Sequence, residues 1–165
     1  LRSPLLDDNN LVTALQQHCA LLAQQTGLQV QLRTPETLDL PTAHANALFL
    51  IAREALHNVV KHSHAQQASC QLQKKRDEIV LIIQDQGQGF APEAVVAADG
   101  RGLGLQNMRD RTQSLGGSLK IASQPGQGAR ILFISLSPPH DPHLERLMTI
   151  AIIIADDHEI VRRGL

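Results

Sequence analysis

Tryptophan and tyrosine are absent from the 165-residue sequence, and phenylalanine occurs three times. The stacking platforms that hold single-stranded bases therefore have almost nothing to be built from. Charge of one sign is missing too. Fifteen basic residues against 16 acidic ones leave a formal net charge of −1, so no global field draws in nucleic acid or an anionic membrane. No apolar run approaches the roughly 20 residues of a spanning helix, and no secretory leader opens the chain. Cysteine is reduced to Cys19 and Cys70, without metal-ligand spacing, and reduced, buried or half-buried thiols are the expectation. This is the composition of a soluble cytosolic domain with chain enough for one ordinary core.

What the sequence does have is loop glycine. DQGQGF (Asp85 to Phe90) and GRGLGL (Gly100 to Leu105) flank a short run rich in alanine and valine. Neither carries the Gly-Lys-Ser/Thr of a P-loop, and neither has the G-x-G-x-x-G spacing of a dinucleotide-binding turn. Around them the periodicity is regular. Asn9 or Asn10 caps a helix to Thr26 with Leu11, Leu15, Cys19 and Leu22 on one stripe and Gly27 as its stop. A strand over 28–34 follows, then a long helix from Thr42 to the region of His62 to His64. Residues 68–74 and 78–85 alternate as a hairpin. After the glycine clusters come a helix over 105–115, stopped by Gly116-Gly117, and strands over 118–123 and 129–136. This order lacks regular β-α alternation, so it predicts an α+β fold, a mixed β-sheet with helices packed on one face.

The long helix carries more than a core stripe. Leu48, Ile51, Ala52, Ala55, Leu56 and Val59 form the apolar face, and Glu54, Asn58, Lys61 and His62 fall beside it within an arc of roughly 100°. Taken singly, each fits a solvated helix face. Together, a carboxylate and an amide oxygen one turn apart can hold a hard cation such as Mg²⁺ with its waters, and Lys61 can meet phosphate oxygens. Asp85, at the end of an apolar strand, is an acceptor suited to an exocyclic amino group such as that of adenine. Gly87 and Gly89 let the backbone pass close to a flat ring, although DQGQG alone also fits a tight turn. GRGLGL directly precedes a helix, whose free N–H groups and dipole favour phosphate.

The stretches IAREALHNVVKHSHA, DQGQGF and GRGLGLQNMRDR, in this order, resemble the N box and the two glycine boxes of the ATP-binding domain of sensor histidine kinases. EALHNVVKHSHA, NMRDRTQSLGG and the opening PLLDDNNLVTALQ are most similar to the subfamily paired with LuxR-type response regulators, which includes nitrate/nitrite sensors. The resemblance covers roughly residues 1 to 137. It implies the Bergerat fold, a two-layer sandwich shared with gyrase, Hsp90 and MutL, and the cofactors ATP and Mg²⁺. Carried over by position, Asn58 coordinates Mg²⁺ through the nucleotide phosphates. Glu54 holds the acidic N-box position, where gyrase-like relatives place the base that activates water. Lys61 contacts phosphate and His62 flanks the nucleotide. Asp85 binds the adenine amino group, with Gly87 and Gly89 shaping the pocket. Gly102, Leu103, Gly104 and Leu105 border the triphosphate, and residues 90 to 101 form the ATP lid.

Two departures from the pattern stand out. The family has Gly-Thr after the last turn, whereas here GQGAR places Ala129 there. The loss of one hydrogen bond costs on the order of 1 kcal/mol and predicts weaker ATP binding. The dimerisation helix with the phosphoacceptor histidine is not found in the sequence, so the implied partner is a histidine-containing dimerisation domain of the same kinase, with a LuxR-type regulator downstream. Such a domain is cytoplasmic, touches neither membrane nor nucleic acid, and can belong to a membrane-anchored kinase. Two other functions stay open: an anti-sigma-type serine kinase of the same fold, and a nucleotide-binding regulatory module without turnover.

Beyond a proline-rich linker at 138–147, which carries His140 and His143 in a solvated loop, residues 148–165 change character. They resemble the opening of a response-regulator receiver domain, with Asp156-Asp157 as its acidic pair. One strand and a helix start cannot bury a core. The expectation is an incomplete receiver, and Met148 marks a candidate junction between a kinase and its neighbouring regulator.

Overall fold

The computed structural model describes residues 11–92 and 102–137. The Asn9/Asn10 cap, lid residues 93–101, the linker and the receiver-like tail lie outside the described residues. The elements run α1 (Leu11–Thr26), β1 (Gln29–Arg33), α2 (Thr42–Asn58), β2 (Gln67–Lys75), β3 (Glu78–Asp85), α3 (Leu103–Ser114), β4 (Ser118–Ser123) and β5 (Ala129–Leu136).

The five strands form one sheet in the order β1-β2-β3-β5-β4. β1 pairs parallel with β2, and the other pairings are antiparallel. The sheet is mixed, as the element order predicts. β2 and β3 make the expected hairpin, and β5 inserts beside β3, pushing β4 to the edge.

Alternation along the strands decides which face is buried. Ala68, Cys70 and Leu72 of β2, Ile79, Leu81 and Ile83 of β3, and Ile131 and Phe133 of β5 are all buried. The register sets them in rows across the sheet, Leu72–Leu81–Phe133 and Cys70–Ile83–Ile131 among them. The helices supply the second layer. Leu11, Leu15, Cys19 and Leu22 of α1 are buried, as is every member of the predicted α2 stripe. Burying a large aliphatic or Phe side chain contributes about 1.5–3 kcal/mol, so the continuous cluster of these rows and stripes stabilises the two layers as one core.

The long helix departs from expectation at its end. The α-helix stops at Asn58, and Val59–Ser63 make a single π-helical turn that closes at His64, whose φ of 55° is left-handed. The reason is a tertiary partner. The Gln88 backbone N–H donates to the Ser63 carbonyl at 2.8 Å, and its side-chain amide donates to the His62 carbonyl. Both acceptors belong to the last turn, where a helix leaves carbonyls unpaired. The Val59-Val60 pair, β-branched and stiff, holds an α-helix less strongly than the residues before it.

Candidate nucleotide site

A cavity of about 650 Å³ opens where α2, its π-helical turn and the start of α3 meet the ends of β3 and β5. The sheet contributes Ile83, Asp85, Ala129 and Ile131; α2 and its last turn contribute Glu54, Asn58, Lys61 and His62. Leu103, Gly104 and Leu105 of α3 and Gly89 of the first glycine cluster complete the predicted residues along its lining. Two predicted residues, Gly87 and Gly102, are not on that lining. Gly87 lies against the π-helical turn, and Gly102 precedes the first turn of α3, its carbonyl accepting from the Gln106 N–H at 2.9 Å.

The first glycine cluster is held on three sides. Asp85 is 4% exposed, and its Oδ1 accepts the Gly87 N–H at 2.8 Å, which fixes the carboxylate at the strand end. A Cβ on Gly87 would lie 2.1 Å from the Ser63 carbonyl oxygen, so this close approach admits glycine alone. Gly89, at φ +61°, runs against the β4–β5 turn, where a Cβ would lie 2.1 Å from the Gln124 carbonyl oxygen.

The second cluster lies close against the helix wall at Gly104. A Cβ on Gly104 would fall 2.2 Å from Glu54 Oε1. Glycine here lets the start of α3 lie on the Glu54 carboxylate, and the partial positive charge of a helix N-terminus favours that placement. Lys61 and His62 are exposed at the rim. The cavity is therefore polar and charged along one wall and apolar at the sheet.

Glu54 and Asn58 present hard oxygen donors from one wall, the chemistry Mg²⁺ requires. Among the described residues, no group of three or more His, Cys, Asp or Glu gathers around a common point. An ion held by Glu54 and Asn58 would take its other ligands from a bound anion and water, as Mg²⁺ commonly does.

Several lining residues escaped the sequence reading. Ala55, Val59, Ile83 and Ile131 belong to core stripes whose last members surface in the cavity. Their stripes were legible, but the point where core becomes site was not. Phe90, the first residue of the expected lid, is on the lining, and Gln88 beside it carries no signal beyond lying inside a glycine cluster. Nor does Ser123, whose hydroxyl accepts the Phe90 N–H at 2.9 Å and donates to the Gly128 carbonyl at 2.8 Å.

The arrangement has known counterparts. The chain is 33% identical over 124 residues to the sensor histidine kinase MctS of Rhizobium johnstonii, covering 74% of this chain and 27% of that protein. It is 29% identical to the histidine-protein kinase/phosphatase DegS of Brevibacillus brevis, covering 80% and 34%. The chain thus spans about a quarter to a third of the length of these curated relatives. Among solved structures, the histidine kinase domain of the blue-light activated kinase of Erythrobacter litoralis superposes with a TM-score of 0.64 at 19% identity, covering 76% of this chain and 60% of that one. Full-length ShkA in complex with AMPPNP gives 0.62 at 24% identity, covering 79% and 31%. Those likenesses match the α+β two-layer fold. Residues 43–140 match the model for histidine kinase-, DNA gyrase B- and HSP90-like ATPases, and the chain belongs to that family.

Proposed function

We propose that this chain binds Mg-ATP in the cavity and donates the γ-phosphoryl group to a histidine on a dimerisation domain outside the chain, as one step of two-component signalling. The observation that carries the reading is the separation of chemistries within one cavity. A fixed, buried acceptor, Asp85, sits at the apolar sheet end, while Glu54, Asn58, Lys61 and the α3 N-terminus lie along the other walls. Adenine needs the first, and a triphosphate with its cation needs the second. A cavity of about 650 Å³ also falls in the usual range of small-molecule sites, roughly 300–1,000 Å³. ShkA, of the same fold, was solved with an ATP analogue, and the relatives MctS and DegS are named as kinases acting in signalling.

In this reading Asp85 accepts from the adenine amino group, and Gly87 and Gly89 keep its loop close enough to flank the ring. Asn58 holds Mg²⁺ through the phosphates, with Glu54 organising it through water. When bound, the ion neutralises charge on the phosphate oxygens. Lys61 adds a second positive charge, His62 flanks the nucleotide, and Gly102 to Leu105 border the triphosphate. Phosphoryl transfer of this kind depends on positioning and charge neutralisation rather than on a covalent step by the protein. The group that takes the histidine proton belongs with that histidine. Residues 1–137 form the ATP-binding unit in this scheme, residues 148–165 a receiver-like start, and a LuxR-type regulator is the downstream partner.

The test is Asp85→Asn, which keeps shape and reverses part of the hydrogen-bonding sense. A hydrogen bond to a charged group contributes about 1.5–3 kcal/mol, so affinity for a fluorescent ATP analogue should fall roughly 10- to 100-fold. Unchanged affinity overturns the adenine assignment. Mixing wild-type protein with Mg-ATP and a separately made dimerisation domain should yield phosphohistidine; phosphoserine on a regulator would point to a serine kinase instead.

A further inference from the structure

Ser123 stands outside the cavity, yet it occupies one row of the sheet with the base-binding carboxylate. Asp85 pairs with Ala129, and Ala129 pairs with Ser123. The two inner members line the cavity, while Ser123 turns its hydroxyl to the glycine loop. It accepts the Phe90 N–H at 2.9 Å and donates to the Gly128 carbonyl at 2.8 Å. One oxygen thus joins three pieces of chain: edge strand β4, the turn before β5, and the last residue of the DQGQGF cluster.

Other contacts from the β4–β5 turn restrain the same loop, but they stop at Gln88 and Gly89 and do not reach Phe90. The Gly126 N–H donates to the Gln88 carbonyl at 2.6 Å, and Gly89 and Gly128 pack backbone on backbone. A Cβ on Gly128 would lie 2.2 Å from the Asp85 carbonyl oxygen. Gln88 ties the front of the loop to the end of α2. Ser123 ties the back, and Phe90 is where the loop leaves the cavity.

We infer that Ser123 is a positioning residue for nucleotide binding, a clip that holds Gly89 and Phe90 against the base end of the cavity through its bonds to Phe90 and Gly128. The inference rests on the nucleotide reading of the cavity. It also separates Ser123 from base recognition. Its hydroxyl already donates to one backbone group and accepts from another, so it does not substitute for the hydroxyl that Ala129 lacks. Removing the clip takes from the Phe90 N–H and the Gly128 carbonyl the partner they share, and the loop loses its seat while the core rows beneath it stay filled.

The full chain carrying Ser123→Ala and, separately, Ser123→Thr is compared with wild type. Three readouts are taken: affinity for a fluorescent ATP analogue with Mg²⁺, amide hydrogen exchange at Phe90 by NMR, and the thermal midpoint. Loss of this bonding should weaken affinity roughly three- to tenfold and speed exchange at Phe90, with little change in the midpoint. Ser123→Thr, which keeps the hydroxyl on a β-branched strand residue, should restore both. Wild-type affinity and wild-type Phe90 exchange in Ser123→Ala would overturn the clip. So would an affinity loss that follows the midpoint downward and is not restored by threonine. If wild-type protein fails to bind the analogue, the nucleotide reading falls, and with it the role assigned to Ser123.

Discussion

Gly87→Ala puts the smallest side chain into the tightest point of the site. Gly87 lies outside the left-handed region, so alanine can adopt its backbone conformation and any cost comes from space. The added Cβ would lie 2.1 Å from the Ser63 carbonyl oxygen, 2.6 Å from its Cβ and 2.7 Å from its carbonyl carbon. Two of these atoms are backbone, so no rotamer change relieves the contact. Restoring van der Waals distance requires the loop and the π-helical turn to separate by about 1 Å. The Gln88 N–H to Ser63 carbonyl bond, now 2.8 Å, would then exceed hydrogen-bonding range. One lost hydrogen bond costs about 1 kcal/mol, and overpacking of a tight contact about 1–3 kcal/mol. The expected destabilisation is about 2–4 kcal/mol. Urea unfolding followed by far-UV circular dichroism measures it. Gly116→Ala is the control, because a Cβ there meets nothing within 4 Å and φ is +63°. Its cost is the left-handed backbone alone, about 1–2 kcal/mol. A Gly87→Ala protein within about 0.5 kcal/mol of wild type, the usual range of a harmless surface change, would refute the packing of DQGQG on the end of α2. It would refute the reason given for the π-helical turn as well.

Two further predictions concern titration and reactivity. Burial pushes the His44 imidazole below its ordinary value, and its buried Nδ1 has no hydrogen-bond partner among the described residues. The unfolded chain then binds that proton more readily, so stability falls as pH drops through the ordinary imidazole range near 6.5. His18 acts in the same direction, through burial and then the charges of Arg53 and His57. His44→Leu should flatten the acid side of a stability-versus-pH curve, and an unchanged slope would refute the assignment. Burial also pushes the Cys19 thiol up to about 11 and the Cys70 thiol up to about 12. Because the thiolate is the nucleophile, iodoacetamide at pH 8 should label neither in native protein and both in urea; native labelling at the rate of a free thiol would contradict their burial.

The parts of this molecule that were legible in sequence are those governed by short-range period. The α1 stripe, the α2 stripe and the β2–β3 hairpin follow from spacing, and the buried residues are those the spacing selects. Strand order was another matter. Nothing local says that β5 slots between β3 and β4, so the pairing of Asp85 with Ala129 emerges only from the fold. The same limit applied at the end of α2. An α-helical projection places Lys61 and His62 correctly on the cavity side, but the widened turn depends on Gln88, 26 residues beyond His62 in sequence. Asp85 and Glu54, whose chemistry is their own, could be named in advance as candidates, and both line the cavity. Residues that act by seating a neighbour's backbone, such as Gln88 and Ser123, could not.

The placement of the site follows from one feature of the sheet. Along its buried face, the row through Cys70, Ile83 and Ile131 is apolar, and Ile121 extends it on β4. The next row on that face runs Val30–Ala68–Asp85–Ala129–Ser123. Within two residues along β3, β4 and β5, the face changes from isoleucine to aspartate, serine and alanine. Asp85 and Ala129 of this row line the cavity, and the single carboxylate is buried enough to lose solvent competition but lies on a cavity rather than in packed core. A hydrogen bond made there is stronger than one made in water, and an unmet partner there costs more. In the nucleotide reading proposed above, the row would supply discrimination as well as affinity: a ligand lacking a donor opposite Asp85 would leave the buried carboxylate with its Gly87 N–H bond alone. Because Asp85 and Ile83 share one strand and one face, the geometry of that discrimination is set by the same pairing that builds the core.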